Sequence, residues 1–163
     1  MRWAKHLVST RWALTRRFPS ATLDAIESAV KASEAQHRGE IRFAIEAALD
    51  IRALRRHETP RARAHEVFAE LRVWDTRERN GVLIYLLIAE SVVEIVADRG
   101  FDGHVTAAEW QAVCKAMEGA YRESRWRDGA LLGIEAVTRL LAREFPRKGA
   151  PDVDEQPNRP QLL

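Results

Sequence analysis

The sequence is short of the residues and patterns that announce ready-made chemistry. One cysteine, Cys114, occurs in 163 residues. That excludes an internal disulfide and any cysteine-rich zinc site, and it fits a reducing compartment, so the cytoplasm is the expected location. Long apolar runs are missing as well. The longest, Val82–Ala89, falls far short of the roughly 20 residues a bilayer-spanning helix needs. No signal peptide is predicted, because Lys5, His6, Arg11, Arg16 and Arg17 interrupt every candidate apolar stretch near the start. There is no glycine-rich phosphate loop, and Ser91 and Ser124 lack the setting of a nucleophile elbow. The five histidines (6, 37, 57, 65 and 104) show no metal-ligand spacing. His37, expected near a helix C-terminus, reads most simply as a favourable end charge. Cys114 shares a helix face with Trp110, Val113 and Met117, which predicts a buried, inert thiol.

Acidic groups are absent from residues 1–18, where five of the 26 basic residues lie. The remaining chain therefore carries 21 basic against 24 acidic residues, so the net charge of +2 is an N-terminal property. Such a balance gives no argument for a nucleic-acid partner. It does suit a basic amphipathic helix over 1–19 that packs Trp3, Leu7, Leu14 and Phe18 onto the domain, or meets an anionic surface or a protein partner.

What is present is a clear order of elements. Ser20 is positioned to cap a second helix, whose stripe is Leu23, Ile26 and Val30 and which Gly39 ends. Alternation in EIRFAIEA predicts a strand with one face to the core. Residues 49–58 read as a polar connection. Thr59-Pro60 opens a helix buried through Ala64, Val67, Phe68 and Leu71. VLIYLLI, apolar on both faces, predicts a central strand, and VVEIVA follows too closely for anything but an antiparallel hairpin. Thr106 and Glu109 form a capping box, and a last helix is expected from about Asp128 to Phe145. The fold class is therefore α/β, a three-layer α/β/α sandwich around a small mixed sheet in the order ααβαββαα. The domain spans 20–146, and the proline-rich, aperiodic stretch 147–163 is expected to be a disordered tail.

This topology brings separated polar residues to one end of the sheet. Parallel strands at 41–47 and 82–88 start together, and a hairpin turning near Glu90 sets position 82 opposite about 98. His37, Glu40, Asp75, Asn80, Asp98 and Arg99 should then converge. Carboxylates with an amide oxygen suit a hard cation such as calcium or magnesium, while arginines among them suit a phosphate. The plain alternative is a set of solvated loops that cap and pair with one another.

These blocks resemble the TPM-domain family (thylakoid-lumen acid phosphatase-like), in particular its short bacterial members without export signals. The resemblance covers about residues 20–145. It rests on GEIRFAIE, on the approach to the strand at Asp75, Asn80 and Gly81, on VEIVADRGF and on the paired final helices. It implies an α/β/α sandwich and, for some relatives, phosphatase activity or divalent-metal binding at an acidic cleft. The loop convergence and the resemblance together, the latter matching Asp75 and Asn80 to the family's acid and second asparagine, make Asp75 and Asp98 the expected catalytic residues. Asn80, Arg99, Gly100 and His37 are expected to hold phosphate or substrate. Asp75, Asn80, Asp98 and Glu40 are the expected ligands of calcium or magnesium. Gly100 matches the second glycine of the family's G-x-G loop. Three departures stand out: Arg79 for the usual first asparagine, Asp98 for the first glycine, and Ala107 where many relatives carry an aspartate. The alternative function is a non-catalytic module that docks a protein or a membrane surface.

Overall fold

The computed structural model describes residue 6, residues 11–147, residue 149 and residues 155–163. Among the described residues six α-helices and four strands follow in order: α1 (Arg11–Arg17), α2 (Ser20–Ser33), β1 (Glu40–Glu46), α3 (Ile51–Arg55), α4 (Pro60–Glu70), β2 (Gly81–Leu87), β3 (Val92–Ala97), α5 (Ala107–Arg122), α6 (Trp126–Glu144) and β4 (Gln161–Leu162). They build one sheet of order β3-β2-β1-β4 between two helical layers. None of the described helices is long and apolar enough to cross a membrane.

Strand β2 lies inside because GVLIYLL offers apolar side chains to both faces, and all seven residues are buried. It runs parallel to β1, from Glu40 opposite Gly81 to Glu46 opposite Leu87. It runs antiparallel to β3, with Val82 opposite Ala97, one position from the expected register. Alternation divides the core in two. Ile41, Phe43, Ile45, Val82, Ile84 and Leu86 meet α2, α5 and α6, together with Leu14 and Phe18 at the end of α1. Ala44, Leu83, Tyr85 and Leu87 meet Ala53 and Leu54 of α3 and Ala64 and Val67 of α4.

Several local expectations need correction. Pro19 holds the N-cap position of α2 without a side-chain bond, and Ser20 is its first residue. That helix stops at Ser33, so Gly39 instead lets the chain pass Leu141, whose Cδ2 would lie 1.8 Å from a Cβ there. The connection 49–58 contains α3, because Asp50 accepts a hydrogen bond from the Ala53 amide and Ala53 and Leu54 face the core. Trp3 and Leu7 of the expected first helix lie outside the described residues, while Leu14 and Phe18 are buried as anticipated.

The largest difference concerns the tail. Residues 155–163 are not disordered: Gln161–Leu162 pairs parallel to β1, opposite Ala44 and Ile45, and the Leu163 amide donates to the Ile45 carbonyl at 2.9 Å. The physical reason lies in β1. Its second face carries Glu40, Arg42 and Glu46, and all three are buried. Arg42 needs acceptors there, and the Pro157 and Arg159 carbonyls supply them. A strand that looks half-solvated in sequence is thus covered by a segment that looks structureless.

Candidate functional site

The charged turn before β2 has an exposed side and a buried one. Asp75 belongs to the first. Its carboxylate takes Arg72 Nη2 at 2.7 Å, and both side chains are more than half exposed. Thr76 and Asn80 belong to the second. The Asn80 amide N–H donates to Thr76 Oγ1 at 3.0 Å, its side-chain Nδ2 donates to the Arg38 carbonyl at 2.8 Å, and its own carbonyl accepts from Glu40 at 3.3 Å. Asn80 therefore ties the starts of β1 and β2 together. Arg77, Glu78 and Arg79 point to solvent, with Glu78 paired to Arg38 and Arg77 near Glu155.

The loop after β3 reaches the same end. Asp98 donates its amide to the Gly81 carbonyl at 2.9 Å, and Gly100 donates to the Arg79 carbonyl at 2.8 Å. A Cβ on Gly100 would stand 2.4 Å from that carbonyl oxygen, so only glycine permits the approach. Gly100 thus has a packing role here. Asp98 is buried. Its Oδ1 accepts the Arg99 amide at 2.7 Å, whereas its buried Oδ2 has no hydrogen-bond partner among the described residues. Arg99 is exposed on the rim.

Strand alternation then sorts the converging residues by face. Glu40 shares a face with Arg42 and Glu46, and Asp98 extends the Glu94 and Val96 face of β3 to that same side. Gly81 lies between them in the register. Above Gly81 sits the Val73 carbonyl, whose oxygen would be 2.0 Å from a Cβ at that position. By register Glu40 and Asp98 therefore flank Gly81 on this side, with the Val73 carbonyl packed over the glycine between them. Among the described residues no group of three or more His, Cys, Asp or Glu side chains could hold a metal ion.

Asn80 falls on the opposite face by the same alternation, and His37 is buried near it in the chain segment that bridges to Pro146. The end-charge reading of His37 does not hold. Burial lowers its pKa to about 4, the nearby Gly39 backbone partly offsets this, and Arg147 lowers it further, so the ring is neutral at physiological pH. Neither ring nitrogen makes a well-formed hydrogen bond among the described residues. The six converging residues thus separate into Glu40 and Asp98 on one face, Asn80 and His37 toward the other, and Asp75 and Arg99 in solvent.

Glu155 is not among the residues expected at this end. Its amide donates to Glu40 Oε1 at 3.2 Å, its Oε2 accepts the Arg77 amide at 3.2 Å, and next to it Gln156 Nε2 donates to the Arg72 carbonyl at 3.1 Å. Away from this end, burial pushes the Cys114 thiol up to about 12, in keeping with an inert core cysteine.

The chain can now be set beside known proteins. Its fold resembles that of the BA42 protein from the psychrophilic bacterium Bizionia argentinensis, whose structure was solved by NMR. The TM-score is 0.76 at 29% identity, over 90% of this chain and 95% of that one. No curated protein matches. The model of the TPM domain matches residues 15–140, which takes in α2 through most of α6 and every loop of the site, and the chain therefore belongs to the TPM-domain family.

Proposed function

We propose that this TPM domain binds a divalent cation, magnesium in preference to calcium, at the start of β1 and β2, and recruits a phosphate ester through it. Asp98 and Glu40 are the protein ligands, and the cation would supply positive charge for the ester's oxygens. Arg77 and Arg99 stand on the rim as partners for the remaining oxygens. The observation that carries this reading is Asp98 Oδ2, a buried carboxylate oxygen with no donor among the described residues. Such an atom is costly to leave unpaired, and a cation is one natural way to satisfy it.

Calorimetric titration with magnesium and calcium, followed by a generic phosphomonoester, tests this. Asp98→Asn and Glu40→Gln should each weaken cation binding at least about tenfold, the scale of one lost charge-assisted contact. Asp75→Asn should leave it unchanged, because that carboxylate is committed to Arg72. Equal affinities for wild type and Asp98→Asn would end the proposal. Release of phosphate by the wild type but not by Asp98→Asn would extend it to a phosphatase.

A second reading, docking to an anionic surface, has one observation in its favour. Trp12 on α1 is 68% exposed, with the Arg16 guanidinium 5.4 Å from its ring centroid, in a stretch without acids. Pelleting with phosphatidylserine vesicles, lost on Trp12→Ala and absent with neutral vesicles, would support it. No pelleting in either case would dismiss it.

A further inference from the structure

We infer that residues 155–163 are an intramolecular strap that regulates the candidate site by occupying one of its ligands, an inference that rests on the cation reading above. The strap runs along the Glu40–Arg42 face of β1 and ends as its neighbouring strand. At its start, the Glu155 amide sits on Glu40 Oε1 and the Glu155 carboxylate takes the Arg77 amide. In the middle, Arg42 donates to the carbonyls of Pro157 and Arg159. At the end, the Leu163 amide bonds to Ile45, and its side chain packs on the core beneath α3 and α4.

The first contact competes with ligand binding and the others provide the hold. A carboxylate oxygen that accepts a backbone N–H is less available to a cation, and the exposed Arg77 guanidinium, 3.8 Å from the Glu155 carboxylate, has that charge beside it in place of a phosphate. The hold combines exposed contacts with one buried and one half-buried, Arg42 on the strap's carbonyls and Leu163 on the core. The pairing extends over two residues of a parallel ladder. The outer anchor is Arg159, which reaches Asp24 at 3.1 Å and Glu27 at 2.7 Å on α2, and its side chain is about half exposed. Exposed ion pairs of this kind contribute little individually. Gln156 adds a bond to the Arg72 carbonyl at 3.1 Å, so lifting costs that bond, the acceptors of Arg42 and the packing of Leu163, while the pairing of β1 with β2 and of β2 with β3 stays in place. This is strand addition supplied by the chain itself, and an extended segment of similar chemistry is the ligand that would displace it.

The test uses the full chain with Arg159→Glu, which turns attraction to Asp24 and Glu27 into repulsion. A second variant, Leu163→Pro, removes the donor to Ile45. Hydrogen exchange at β1 and the tail reports whether the strap has lifted, and magnesium titration reports the site. Lifting should accompany a rise in magnesium affinity of about tenfold in either variant, the worth of one competing charge-assisted bond. Addition of Asp98→Asn should abolish that gain. If the strap lifts and magnesium binds as in wild type, the strap does not gate the site, and the cation reading stands without it. If no form binds magnesium, the cation reading fails and the gate falls with it. If neither variant raises exchange in the tail, the segment is a fixed strand and the strap is refuted.

Discussion

Two residues show how the end of the sheet is conditioned by local chemistry. Arg79 sits at φ 52°, in the left-handed region, immediately before Asn80. A long side chain gains nothing from that conformation, whereas asparagine and glycine enter it at low cost. Arg79→Asn should raise the unfolding free energy by about 0.5–1 kcal/mol, read from urea denaturation, with no change in the fold. His37 makes a prediction of the opposite kind. Its folded pKa of about 4 lies below the 6.5 of an ordinary imidazole, so the unfolded chain takes up the proton first as pH falls. The stabilisation from the neutral ring is complete above about pH 6.5 and is lost on the way down to about 4. Between pH 6.5 and 5 the wild type should lose about 1–2 kcal/mol from this group, and His37→Phe should flatten that slope in parallel denaturation series. Equal slopes would contradict the assignment.

At the scale of elements, the sheet ends on one side in β4, a two-residue strand beside Ala44 and Ile45 of β1, and on the other in β3, whose outer edge is met by side chains. On the far side the Val93 amide donates to Glu118 of α5 at 3.1 Å, and Arg61 of α4 donates to the Ile95 carbonyl. Side chains thus occupy backbone groups that would otherwise template another strand. An Arg61→Ala, Glu118→Ala double variant should self-associate with rising concentration in light scattering, while the wild type does so to a smaller extent. The helices and the hairpin were readable because their signals are local: Thr59-Pro60, the Thr106–Glu109 box, and the apolar run of β2. The residues on the second face of β1 were not. Glu40, Arg42 and Glu46 alternate as a solvated face would, and their burial depends on partners far away in sequence, at Pro157, Arg159 and Arg63.

The whole molecule sets a two-layered core around a sheet whose starting end gathers oxygen atoms. That this end would gather loops was legible from strand order alone, since parallel β1 and β2 must begin together and the hairpin must return there. Which side chains share a face was also implicit in the alternation, and it separates Asn80 and His37 from Glu40 and Asp98. The outward turn of Asp75 toward Arg72, and the arrival of Glu155 on Glu40, depend on packing that no local pattern encodes. Together these features shift the centre of the proposed site from Asp75 to Asp98, Gly81 and Glu40, with the C-terminal segment beside it. The most direct test of that placement is a magnesium titration followed by backbone amide shifts in the full chain. Saturable shifts confined to residues around Glu40, Val73, Gly81 and Asp98, and lost in Asp98→Asn, are the predicted result. Shifts centred on Asp75, or none at these positions, would contradict it.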